Sequence, residues 1–215
     1  MSRTMTGARF RLLGALLALP FLAATPGAQG RQCEPTRTGW DFPEARMNVM
    51  RGGRGETLFI EGRIDHDFPV RLRAVLAAHP DIEALHLNSA GGDRDSAMEA
   101  GATIRSIGGF VTHVPAGAEC TGACALLFLS GHVRSVDPAA VFDLGRFYDP
   151  PEGATSQADV ARQSLAVSNY LIRMGVSRRL LTGTLDRDAA LAAEAPRQCL
   201  TGEELHGYNV ANWNE

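Results

Sequence analysis

The sequence predicts one α/β domain whose strands are mainly parallel. Three observations carry that prediction. From residue 56 onward, short apolar runs alternate with segments of helical period. Turn signals separate them: Gly62, Pro80-Asp81, Gly91-Gly92 and Gly108-Gly109. Strand, helix and strand in alternation call for parallel pairing with right-handed crossovers. Hydrophobic residues are 45% of the 215-residue chain and charged residues 21%, ordinary for a globular protein and too apolar for a disordered one.

Each element has its own signal. Residues 31–55 read as irregular, because Pro35, Pro43, Gly52, Gly53 and Gly55 punctuate them. Leu58-Phe59-Ile60 reads as a buried strand closed by Gly62. Phe68 to His79 reads as a helix with Val70, Ala74 and Ala77 on one side, ended by Pro80 and Asp81. Ile82 to Leu87 is a second strand, stopping in the tight turn Asn88-Ser89-Ala90-Gly91-Gly92. A helix from Arg94 to Ile107 follows, with Ala97, Gly101 and Ile104 at helical spacing. Phe110 to Val114 is a third strand and Ala116-Gly117-Ala118 a small-residue loop. Gly122 to Ser130 is a helix apolar on every side, hence buried on every side. Short strands are expected near 133–136 and 141–144, then a Pro/Gly-rich acidic loop over 149–155. A long helix spans Gln157 to Met174 with a stripe of Val160, Val167, Leu171 and Met174, and Gly175 stops it. Thr201-Gly202-Glu203-Glu204 is a capping-box pattern for a last short helix.

Composition removes whole classes of chemistry. All 21 basic residues are Arg. With no lysine there is no Walker A lysine, no Schiff base and no Ser–Lys dyad, since each needs an amine able to lose its proton. Net charge is −3, and about −6 without Arg3, Arg9 and Arg11, which argues against nucleic acid as a partner.

Those three arginines precede an uncharged apolar run from Leu12 to Ala24, too short to span a bilayer as a helix. Ala28-Gln29-Gly30 supplies small residues for cleavage before Arg31. Residues 1–30 therefore read as a signal peptide. The expected location is periplasmic or secreted in a Gram-negative bacterium, with no membrane association after cleavage. Export makes the four cysteines readable as disulfides. Three connectivities are open. Cys120 and Cys124 are about one helical turn apart, so a local bridge is feasible. It would leave Cys33 and Cys199 to staple the domain ends. The competing reading of Cys120 and Cys124 as metal ligands lacks a second ligand pair, so no metal is expected.

The run Leu58-Phe59-Ile60-Glu61-Gly62-Arg63-Ile64, a helix, Leu85-His86-Leu87-Asn88-Ser89-Ala90-Gly91-Gly92, then a helix, a strand and a buried helix closed by Ser130-Gly131 resembles the ClpP peptidase and crotonase superfamily. More narrowly it resembles exported ClpP-like proteins that carry a Cys-Ala-Ser-Ala-Cys segment. The similarity covers about residues 56–150 and continues weakly through Cys199 to Leu205. It implies a single ClpP/crotonase-like domain over 56–215, a spiral of β-β-α units. It also implies acyl-transfer chemistry: a Ser opening the buried helix, a His as its base, an acidic residue orienting the His, and backbone N–H groups holding the oxyanion.

Only part of that machinery is present. Gly91 and Gly92 match the oxyanion-hole turn, and Ala123 would supply the N–H after the nucleophile. Cys120-Thr121-Gly122-Ala123-Cys124 stands where Cys-Ala-Ser-Ala-Cys is expected, so Gly122 takes the place of the Ser. Counting forward from Gly92 favours Thr121 instead, a weak candidate nucleophile. Gly145 or Phe147 takes the place of the His, and no His occurs between Val133 and Leu205. Asp186, Asp188 and Glu194 are unconvincing third members. Ser130 and His132 lie ~12 Å along the helix from Gly122, too far for proton transfer. His86 reads as a hydrogen-bonded core residue, His66 as part of a solvated loop, and Ser89 as a local turn bond.

The expected function is an exported ClpP-like protein that does not work as a serine peptidase. Its partners would be an extended peptide, a protein, or a further subunit in a homo- or hetero-oligomer, and no cofactor is expected. Two alternatives stand. One is a serine or threonine hydrolase with a relocated nucleophile. The other is a crotonase-like enzyme on acyl thioesters, with Arg94 or Arg105 at a nucleotide phosphate.

Overall fold

A computed structural model describes residues 42–52, 55–144, 156–180, 182 and 199–213. The main sheet holds five strands, β1 (Arg46–Arg51), β2 (Glu56–Glu61), β3 (Ile82–Asn88), β4 (Val111–Val114) and β6 (Val133–Val136), in the order β1-β2-β3-β4-β6. β1 runs antiparallel to β2; every other pair is parallel. A second sheet pairs β5 (Glu119–Thr121) in parallel with β7 (Val141–Asp143). Helices α1 (Phe68–Ala78), α2 (Arg94–Ile107) and α3 (Ala123–Phe128) make the crossovers. α4 (Gln157–Arg173) and α5 (Gly202–Gly207) follow. The mixed α/β class and the mostly parallel sheet expected from the sequence are those observed.

Alternation along the strands decides which face meets the helices. Leu58, Ile60, Leu85 and Leu87 are buried and share one core with Phe68, Leu72, Ile104, Leu126 and Leu127. Each such side chain contributes about 2 kcal/mol of transfer free energy. α3 is buried at all six positions, as its uninterrupted apolar run required.

Three expectations need correction. Residues 46–51, expected to be irregular, form β1, whose partner β2 lies only a short turn away. In α1 the buried side is Phe68, Leu72 and Leu76, while Val70 is exposed. The larger side chains set the helix rotation, and alanines could not. In α4, Val160 is only half-buried and Tyr170 is buried instead; its hydroxyl donates to Leu126 O at 2.9 Å, a bond periodicity does not reveal. The capping box at Thr201 is present in full, and Gly175 ends α4 at φ 79°.

Two polar clusters tie the outer segments to this core. Asp65 accepts from Arg71 at 2.6 Å and from the Ala45 N–H at 3.2 Å, fixing the entry to β1 against α1. Partial burial alone would raise the Asp65 carboxyl; the bonds from Arg71 and Ala45 outweigh it and hold it below the ordinary carboxylate range. Arg134 on β6 is fully buried and gathers chain ends. Its guanidinium donates to Gly131 O, Val210 O and Asn209 O, each at 2.8 Å. Its own N–H and C=O hold Asn212 and Trp213 along the β6 edge. Burial, then the nearby Arg105, pull its pKa down to about 10, so it stays charged at neutral pH. Arg105 caps the same region, donating to Leu129 O at 2.8 Å and Met174 O at 3.1 Å.

Two outcomes follow for stability. Arg134→Met should cost ~3–5 kcal/mol, because several buried carbonyls lose their donor at once; urea denaturation measures it. Asp65 titrates lower in the folded state than in the unfolded one. Its contribution is therefore complete above about pH 4 and is lost as pH falls through the folded value. The thermal midpoint should hold from neutral pH down to about pH 4 and drop below it, and Asp65→Asn should flatten that drop.

Candidate functional site

The site is built where the C-terminal ends of β2, β3, β5 and β7 converge. β3 runs out in Asn88 and Ser89. Ser89 bridges to Cys120: its N–H donates to Glu119 O at 2.7 Å and its C=O accepts from Thr121 N at 3.1 Å. The buried Ser89 hydroxyl accepts from Gly91 N at 3.1 Å, the local turn bond the sequence suggested. Asn88 braces the other side, accepting from Glu119 N at 3.1 Å and donating to Glu61 at 3.2 Å.

Gly91 and Gly92 then make the turn at φ 106° and 139°, which side chains rarely adopt. Ile64 lies against them. Its N–H donates to Gly91 O at 2.9 Å and its C=O accepts from Asp93 N at 2.7 Å. A Cβ on Gly92 would stand 2.1 Å from Ile64 O, and one on Gly91 would stand 2.9 Å from Thr121 O. Both approaches are between backbones, so glycine is a steric requirement. The Gly92 N–H faces away from Ile64 and donates to no acceptor among the described residues; Gly92 is exposed. Asp93 caps α2 through Ser96 N at 2.7 Å. Burial would raise its carboxyl, but Ser96 and the charges of His66 and Arg63 lower it.

Gly122 forms a sharp strand-to-helix elbow between β5 and α3, at φ 55° and ψ −116°. Its N–H is held by Asp143 O at 2.9 Å. A Cβ there would meet nothing within 4 Å. The elbow thus points a side-chain position into open space and leaves it empty. The next N–H, that of the buried Ala123, donates to no acceptor among the described residues.

The groups that could replace a nucleophile are accounted for. Cys120 and Cys124 are joined in a disulfide across the elbow with Cα atoms 5.1 Å apart, and both are fully buried. Neither is a thiolate or a metal ligand in this state. Cys199 is also disulfide-bonded; Cys33 lies outside the described residues. Thr121 is half-buried, and its hydroxyl has no hydrogen-bond partner among the described residues. Asp143 is its register partner on β7, so the two side chains share a face. Sequence reasoning missed this neighbour because the three-residue β5 carries no periodicity of its own.

The structure brings no imidazole to the elbow in hydrogen-bonding contact. His86 and His113 stand in a row across the sheet with Phe59 and Ser135, ring centroids 4.9 Å apart, on the face opposite Leu58 and Leu85. His113 Nδ1 is 2.8 Å from Ser135 Oγ. His86 is thus half-buried among rings on the outer face. His66 is exposed near Asp93, and its carbonyl accepts from Ser96 Oγ at 3.3 Å. His132 closes the far end of α3, where its carbonyl accepts from Asn212. Ser130 is buried and donates to Leu127 O at 2.6 Å. Arg94 opens α2 and Arg105 is spent on carbonyls. Gly145, Phe147, Asp186, Asp188 and Glu194 lie outside the described residues.

No family model matches the chain, and no curated protein matches it. Solved structures do. ClpP1 from Listeria monocytogenes aligns with a TM-score of 0.51 at 17% identity, over 72% of this chain and 88% of that one. The membrane-bound stomatin-specific protease 1510-N, as its S97A mutant, aligns at 0.48 and 18%, over 71% and 75%. A putative enoyl-CoA hydratase from Streptomyces coelicolor A3(2) aligns at 0.45 and 16%, over 82% and 69%. At these identities the likeness speaks for architecture alone. The chain has a ClpP-like fold.

Proposed function

We propose that this protein is an exported, non-hydrolysing member of the ClpP/crotonase group that holds an extended polypeptide beside the Gly91–Gly92 turn. The observation that carries the reading is Gly122 at the elbow: the position built to present a nucleophile has no side chain. Hydroxyl nucleophiles act with a base within about 3 Å, and the hydroxyl of Thr121, the nearest in sequence, is hydrogen-bonded to no base among the described residues. The flanking disulfide closes the thiol route. Losing nucleophile and base together removes a unit whose members act jointly.

What remains is main chain. An exposed Gly92 with an undonated N–H, at the end of a parallel sheet, can pair with a ligand backbone as a strand edge does. Such recognition needs no titrating group. Oxidised cysteines agree with an oxidising compartment, and among the described residues no helix is long and apolar enough to cross a membrane.

The reading is tested with reduced, carboxymethylated α-lactalbumin, an extended chain, and a fluorophosphonate probe. Binding without cleavage and without a covalent adduct is expected; an adduct on Thr121 would overturn it. Gly122→Cys should give a thiol that alkylates readily in unreduced protein, since its Cβ enters open space. The left-handed φ should cost that variant ~1–2 kcal/mol of stability. Gly122→Ser should remain unlabelled by fluorophosphonate, because no imidazole stands beside it. Labelling of that variant would show a working base.

A further inference from the structure

β1 is the edge of the main sheet. It pairs with β2 on one side, and among the described residues nothing pairs with the other. The turn that follows fixes the phase of its hydrogen bonds. Gly52 N–H donates to Gly55 O at 2.8 Å, and bonded and non-bonded pairs alternate along an antiparallel ladder. In the observed register Met50, Asn48 and Arg46 therefore bond to Thr57, Phe59 and Glu61. The main-chain groups of Arg51, Val49 and Met47 point outward. Ala45, the next residue of that phase, behaves accordingly: its N–H donates to Asp65 and its C=O accepts from Arg71. The open edge thus runs from Met47 to Arg51, closed at one end by Asp65 and Arg71 and at the other by the turn at Gly52. Sheet edges are usually blunted by a proline, a bulge or a central charge. β1 is Arg-Met-Asn-Val-Met-Arg in unbroken register, charged only at its ends.

The limits of this edge name its occupant. The free stretch is symmetric about Val49. A second β1 laid antiparallel, Val49 against Val49, pairs Met47 of each copy with Arg51 of the other. Every free N–H and C=O on both strands then finds a partner, about six bonds in all. A slip of one residue would set outward groups against inward ones. A slip of two would call on Ala45, whose groups are taken, or on the turn beyond Gly52. Side chains agree with the Val49-centred register. On the helix-bearing face Val49 meets Val49, and the stem of Arg51 lies along Met47; Val49 and Met47 are half-buried against the core. On the other face Asn48 stands across from the exposed Met50, and Arg46 across from Gly52. No arginine opposes an arginine. Arginines at both ends would also suit an acidic peptide, but these are engaged within the chain. Arg51 pairs with Glu56 at 3.1 Å, and Arg46 lies 3.3 Å over the ring of Phe42.

We infer that β1 is a self-association edge: a second copy of this chain adds its own β1, antiparallel and centred on Val49, and the two main sheets become one. A single strand pair falls below the ~1,200 Å² of a standard stable interface, so association is expected in the micromolar range. Sedimentation velocity across about 5–200 µM protein should show a monomer–dimer equilibrium. Val49→Pro removes an outward N–H and no bond to β2. It should weaken the dimer by about tenfold or more while leaving circular dichroism unchanged. Register is read independently of that variant's folding. Asn48→Cys and Met50→Cys, mixed in equal amounts, should cross-link about tenfold faster than either alone, because only the mixture sets the thiols directly opposite. A chain that stays monomeric at the top of the concentration range overturns the inference. So does a dimer that Val49→Pro leaves intact, or cross-linking as fast in either cysteine variant alone, which would mean another register. Binding of carboxymethylated α-lactalbumin should be unaffected by Val49→Pro; if that variant loses it, the edge serves an extended peptide instead of a second copy, which also overturns the inference.

Discussion

The backbone of Ile64 pressed against Gly92 is the contact on which the site depends. It joins the end of β2 to the turn after β3, and that turn in turn packs on Thr121 O through Gly91. Three segments far apart in sequence meet within one carbonyl's reach. A methyl group at either glycine would separate them. The small β5–β7 sheet is positioned by the same junction, through the Ser89–Cys120 bridge. The elbow at Gly122 therefore inherits its place from two glycines some thirty residues earlier.

On the proposed reading, that junction is what lets the scaffold outlive its chemistry. The turn, the elbow and the disulfide across it are held by backbone bonds and packing, and none of them needs a hydroxyl at residue 122. The side chain that does the chemistry in an acyl-transfer enzyme is the part the fold does not use. Glycine at 122 costs the structure nothing: a Cβ there would meet nothing within 4 Å, and glycine suits the positive φ. The proposed main-chain recognition would rest on the same ground.

The large elements were legible because their signals are local. The run Ala123–Phe128, apolar on every side, could only be a buried helix, and α2 runs from Arg94 to Ile107 and stops at Gly108 as its sequence indicates. What escaped was set by tertiary partners. β1 and β5 are strands because β2 and β7 lie beside them, and α1 turns Phe68 and Leu72 inward where alanines offered a weaker choice. At the site, the Gly91–Gly92 turn was readable from the chain, since glycine suits so sharp and close a turn, while Gly122 was placed through the resemblance, with Thr121 as the alternative. The pairing of Thr121 with Asp143 was not, because it rests on the register of a three-residue strand.

The central claim is that main-chain donors, and no nucleophile, act at this turn. Amide NMR of the isotopically labelled protein, titrated with an extended peptide, tests it most directly. A downfield shift of the Gly92 N–H, with the peptide's mass unchanged after prolonged incubation, is the predicted result. A cleaved peptide, or saturation binding that leaves the Gly92 resonance where it was, would contradict it.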